Sequence, residues 1–180
     1  MIDIGKLGRA ELAALVVETL AACEIDVVLV GGSCVCIWTN DRFGSLDLDF
    51  IDMTYARRKE ITAALAGLGF ESDAKQPRYF VHPDCSWSLE FPTAPLAIGH
   101  ELIEPGQVAE LKTETGTIRL LSSTDSIKDR LLWWYLSGDP QCWEQALDMA
   151  RNHSVNWPNL RRWHEGEGYS NRFQVFRDAI

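Results

Sequence analysis

The stretch "VVLVGGSCVCIWTNDRFGSLDLDFID", Val27 to Asp52, decides how this chain is read. Its apolar opening, Val27–Val30, stops at Gly31-Gly32-Ser33, the pattern of a short buried strand ended by glycines. Glycine has no Cβ, so backbone here can approach a ligand closely. Ser33 then opens "SCVCIWTN", which the spacing predicts as a helix of about two turns. A hydroxyl and free N–H groups at a helix start welcome an anion.

Fourteen residues past Ser33 come Asp47 and Asp49, within "SLDLDFID". The alternation sends Leu46, Leu48 and Phe50 one way and Asp47, Asp49 and Ile51 the other. This predicts a strand with one buried and one acidic face, and Asp52 falls off the acidic face by parity. Two carboxylates so close repel each other, and a cation relieves the repulsion. Hard ions such as Mg²⁺ take carboxylate oxygens together with substrate phosphates. A third acid is available at Glu90, where "SWSLEFP" alternates Trp87, Leu89 and Phe91 with Ser88 and Glu90. If that strand lies beside the aspartates, three carboxylates converge. Two-metal phosphoryl transfer needs such a cluster to hold ions about 3.5–4 Å apart.

Composition bounds the alternatives. The chain has 180 residues, 46% of them hydrophobic and 24% charged, which suits one globular domain with a real core. The formal net charge of −9 does not suit a non-specific nucleic-acid binder, so a nucleic-acid substrate would have to meet a local patch. No run reaches the ~18 apolar residues of a membrane span. The start of the chain lacks the basic region and unbroken apolar core of a signal peptide. Five cysteines (Cys23, Cys34, Cys36, Cys85 and Cys142) form an odd set without CxxC. They read as reduced core residues of a cytoplasmic protein. The histidines are isolated, and GxSxG, HExxH and GxxxxGK[ST] are all missing.

Outward from the central stretch, residues 8–23 match an amphipathic helix with Leu12, Leu15, Val16, Thr19, Leu20 and Cys23 on one face. "TYARRKEITAALAGLGF" predicts a second helix, and "RYFVHP" with "SWSLEFP" a strand pair. "QVAELKTETGTIRLLS" reads as a hairpin turning near Gly116. From Ser123 the pattern is helical, and five of the seven tryptophans fall there, a sign of packing between helices and sheet. The expected fold class is α+β: a head over residues 1–121 and a C-terminal helical extension over 122–180.

The glycine–serine turn, the 13 residues that follow it, the "DLD" and the later strand acid together resemble the DNA polymerase β-type nucleotidyltransferase superfamily. That resemblance implies a mixed sheet flanked by helices, a turn that contacts the triphosphate of an NTP, and Mg²⁺ or Mn²⁺ held by a DxD and a third acid. The tail "LLSSTDSIKDRLLWWYLSGDPQCWEQALDMARNH" further resembles the AbiEii-like minimal nucleotidyltransferases, relatives of toxin–antitoxin enzymes. By this likeness Asp47, Asp49 and Glu90 are the metal ligands, and Gly31, Gly32 and Ser33 bind nucleotide. Lys128 matches a helix lysine that steadies the triphosphate. Asp139 matches the last acid, in competition with Asp125 and Asp129. Arg42, in the loop before the aspartates, is a further phosphate contact by the same likeness. The implied reaction moves an NMP from an NTP to an RNA end, a protein hydroxyl or a small molecule. The alternative is a non-catalytic binding protein of the same fold, working with a cognate toxin or antitoxin.

Overall fold

A seven-stranded mixed sheet organises residues 2–180, the part of the chain described by this computed structural model. Its centre is β1 (Val27–Val30) antiparallel to β2 (Asp47–Asp52), with Val30 opposite Asp49. β5 (Ser88–Glu90) runs parallel to β2 on its other side, and β4 (Tyr79–Val81) and β3 (Glu71–Ser72) extend that edge. Beyond β1 lie the parallel β9 (Thr117–Leu120) and its hairpin partner β8 (Ala109–Lys112). β6 (Ala97–Ile98) and β7 (Glu101–Leu102) form a separate small hairpin.

The helices are α1 (Arg9–Ala21), α2 (Gly31–Trp38), α3 (Arg58–Ala66), α4 (Ser123–Ser137), α5 (Pro140–Asn152), α6 (Trp157–Gly166) and α7 (Ser170–Asp178). α1 packs on β9 and α3, whereas α2 bridges β2 and α4. The tail helices carry explicit start signals. Ser122, Asp139 and Asn156 each accept a backbone N–H at the starts of α4, α5 and α6, and Gly138 in the left-handed region (φ 72°) stops α4. Such side-chain caps satisfy amides that the helix itself leaves unpaired.

One continuous core joins sheet and helices. Phe50 of β2 and Phe80 of β4 both pack on Phe91, with ring centroids 5.8 and 5.5 Å apart. Phe50, Phe80 and Leu89 are fully buried, and truncating one of the phenylalanines to Ala would cost about 3–5 kcal/mol.

Three expectations need correction. Leu46 is 83% exposed, because β2 begins only at Asp47 and the alternation does not extend back to Leu46. Cys23 is exposed, because α1 ends at Ala21. The second helix starts at Arg58 and not at Thr54, because the Asp52 carboxylate accepts the amides of Thr54 (2.8 Å) and Ala56 (2.5 Å) and folds that segment into a turn. No helix among the described residues is long and apolar enough to cross a membrane.

Candidate active site

The parity of β2 does what alternation requires. Leu48 and Phe50 enter the core, while Asp47 and Asp49 face a cavity of about 650 Å³. The parallel ladder pairs Asp47 with Ser88 and Asp49 with Glu90. Neighbouring strands lie about 4.8 Å apart, so ladder partners on one face bring their side chains together. One carboxylate oxygen each from Asp47, Asp49 and Glu90 lies within 4.8 Å of the others. The 40 residues between Asp49 and Glu90 include α3 and the β3–β4 edge.

Three acids in one partly buried cluster cannot all ionise cheaply. Burial, then the charges of Asp47 and Glu90, push the Asp49 carboxyl up to about 8. Arg78 brings a cation to the cluster: its Nε lies 2.8 Å from Glu90 Oε1, on a largely exposed side chain. Backbone closes the floor of the site. Gly31 sits in the left-handed region (φ 69°), and a Cβ there would collide with the Asp49 carboxylate. Only glycine meets both demands, so the role of Gly31 is to let the turn and the acidic strand touch.

Ser33 lies elsewhere than expected. Its side chain is fully buried, donates to the backbone carbonyl of Asp47, and accepts from Arg9 Nη1 at 2.7 Å. Arg9 also binds Asp41 Oδ1 (2.6 Å) and Ser45 O (3.1 Å), and lies over the Trp87 ring. This buried arginine ties α1, the turn and the loop before β2 into one brace. The serine that lines the cavity is Ser45.

Lys128 is not among the residues lining the cavity. It is 1% exposed and pairs with Asp125 Oδ1 (2.9 Å) and Glu101 Oε2 (2.8 Å), tying α4 to β7. The reason is helical phase. Residues two apart on an α-helix point about 200° away from each other, so if Lys128 faces β7, Arg130 faces the opposite way. Arg130 and Asp129 do line the cavity, and they pair with each other at 2.5 Å. Of the three acids competing for the last place, Asp125 is bound to Lys128, while Asp129 and Asp139 border the cavity. Asp139 also caps α5 through the Gln141 amide. Arg42 pairs with Asp148 of α5, away from the carboxylates.

Arg9, Ser45, Arg78 and Arg130 escaped the reading of the sequence. Only Arg130 had a usable signal there: it shares a helix face at i, i+3 with Trp133, which borders the same cavity.

No protein-family model matches the sequence, and no curated protein matches it. Solved structures do. An antigenic nucleotidyltransferase-like protein from Paracoccidioides brasiliensis superposes with a TM-score of 0.58, at 16% identity over 78% of this chain and 75% of that chain. The antibiotic-resistance factor ANT(2'')-Ia superposes with a TM-score of 0.51, at 16% identity over 92% of this chain and 86% of that one. The mixed sheet with its flanking helices is thus a nucleotidyltransferase-like fold.

Proposed function

We propose that this protein transfers a nucleoside monophosphate from an NTP to an acceptor hydroxyl, with pyrophosphate as the leaving group. The observation that carries the reading is the convergence of Asp47, Asp49 and Glu90 at one point beside the Gly31-Gly32 turn. The cluster fits divalent cations. Its donors are all hard oxygens, its charges lack full compensation, and the raised Asp49 carboxyl marks a place where positive charge is missing. Mg²⁺ or Mn²⁺ bound there would neutralise phosphate charge and favour ionisation of the acceptor hydroxyl.

The chain's own residues have separable tasks. Asp47 and Asp49 hold cations from β2, and Glu90 completes the set from β5. Without cations, Asp49 keeps a proton in the acidic cluster and so lowers its charge. Gly31 and Gly32 keep the floor open for a phosphate, and Asp129 and Asp139 add acid to the cavity wall. The acidic wall and the net charge of −9 favour a small or protein acceptor over a polyanionic one. The AbiEii-like part of the resemblance relies on Lys128 at the phosphates. Lys128 is engaged with Asp125 and Glu101 and has no part in this proposal.

The test is incubation of the purified protein with each α-labelled NTP, Mg²⁺ and fractionated cell extract, split into RNA, protein and small-molecule pools. Label should enter one pool with wild type and none with Asp47→Asn. Absence of label from every pool, with no pyrophosphate released, would refute transfer.

A further inference from the structure

The cavity contains a second polar cluster that the carboxylate centre leaves unused. It lies where α4 passes the start of α2. Arg130 is 8% exposed and lines the cavity. Its Nε and Nη2 both go to Asp129 Oδ2, at 3.0 and 2.5 Å. Its Nη1 meets no oxygen among the described residues, and its one partner is Cys142 Sγ at 3.9 Å. A thiol at that distance is a weak acceptor, so a buried guanidinium keeps two N–H bonds nearly unspent.

Nη1 points at a turn built for close approach. A Cβ at Gly32 would lie 3.9 Å from Arg130 Nη1 and 3.3 Å from Ser45 Oγ. Ser45 Oγ has only long contacts, to Asp47 O (3.2 Å) and Asp47 Oδ1 (3.3 Å). The first-turn amides of α2 lack partners within their own helix. Guanidinium, hydroxyl and amides thus surround the space over Gly32, next to the carboxylates on β2. A group placed there needs several acceptor oxygens and negative charge, and it must reach the cation centre. A polyphosphate chain meets all three conditions.

We propose that Arg130 and Ser45 hold the phosphate tail of the nucleotide, the part expected of Lys128 and Ser33. The inference rests on the nucleotidyl-transfer reading and adds to it the residues that select a triphosphate. Asp129 then serves as a positioning residue: its carboxylate fixes two of the guanidinium nitrogens and leaves the third facing Gly32.

Calorimetric titration of wild type, Arg130→Gln, Arg130→Lys and Ser45→Ala would use the four Mg²⁺–NTPs, Mg²⁺–tripolyphosphate and a free nucleoside. Arg130→Gln should weaken every Mg²⁺–NTP and Mg²⁺–tripolyphosphate by about 10–100-fold, and Ser45→Ala by about 3–10-fold. Arg130→Lys should fall between wild type and Arg130→Gln, since a point charge lacks the planar fork. Affinity for the nucleoside should not change. Mn²⁺ alone should raise the melting temperature of wild type and both Arg130 variants equally, because no carboxylate of the centre is bound to Arg130. Should Arg130→Gln fail to fold, Asp129→Asn/Arg130→Gln removes the pair without leaving a lone buried charge. Wild-type affinity for Mg²⁺–NTP in a folded Arg130 variant would overturn the inference while nucleotidyl transfer stood. A wild-type protein that bound neither Mg²⁺–NTP nor Mg²⁺–tripolyphosphate would overturn both.

Discussion

Replacing Asp49 with Asn should make the metal-free protein more stable at pH 8, against the usual result of changing a partly buried residue. The Asp49 carboxyl has an ordinary value of 3.8 and is raised to about 8 in the folded chain, by burial and then by Asp47 and Glu90. Between those values the folded state holds one more proton than the unfolded state. A raised carboxyl therefore lends stability that is fully present below 3.8 and is lost as pH climbs through about 8. The slope approaches 1.4 kcal/mol per pH unit for one proton. From pH 5 to pH 8 wild type should lose about 2–4 kcal/mol, the lower end reflecting the open side of the cavity. With a urea m-value of about 2 kcal/mol/M, the midpoint should drop by roughly 1–2 M. Asp49→Asn should flatten this part of the curve. His164 works in the opposite direction, because burial lowers its pKa and its contribution grows as pH rises, but it is common to both proteins. Adding Mg²⁺ should restore wild-type stability at pH 8 far more than at pH 5, and should not act on Asp49→Asn. Urea titrations at the two pH values, with and without Mg²⁺, decide the matter. A mutant with the wild-type pH slope would refute the account of Asp49, and a mutant that kept the Mg²⁺ response would remove it from the cation site.

Three further outcomes are expected. Lys128→Ala should cost about 3–5 kcal/mol, read by urea unfolding, because it strands Asp125 as a buried charge; Mg²⁺–NTP affinity of the folded fraction should stay at the wild-type level. Gly31→Ala should cost at least ~1–2 kcal/mol for the left-handed backbone alone and should abolish the Mg²⁺-induced rise in melting temperature, since its methyl displaces the Asp49 carboxylate. Arg9→Met should lower stability by about 2–4 kcal/mol in thermal or urea melts and weaken Mn²⁺ binding, because Ser33, Asp41 and Ser45 lose their common partner.

The carboxylate centre was legible because it depends on parity. A period of two on β2 and again on β5 places Asp47, Asp49 and Glu90 on a face with no knowledge of the loops between. The hydroxyl and the cation proposed for the phosphates were not legible in the same way. Ser33 lies one turn into a helix whose start depends on Gly31 adopting positive φ, and a buried Arg9 from a distant helix claims its oxygen. Ser45 reaches the cavity because the preceding loop turns through left-handed Asn40 and Asp41 (φ 51° and 56°), a reversal that no periodic pattern announces. Lys128 and Arg130 are near neighbours in sequence and opposite in direction. Choosing between them required the phase of α4, and that is set by Lys128 finding Glu101 on a hairpin too short to have been anticipated.

The ladder between β2 and β5 has a practical consequence for engineering. The distance between Asp49 and Glu90 is maintained by hydrogen bonds between adjacent strands, so the chain joining them is free to change length. Residues 74–76, at the tip of the β3–β4 edge, form an exposed bend in it. A reporter peptide or protease site spliced in at that bend would interrupt the polypeptide between two acids of one cluster and leave the cluster whole. Alignments that demand a fixed interval between the paired aspartates and the third acid would, for the same reason, pass over relatives whose edge strands have grown or shrunk.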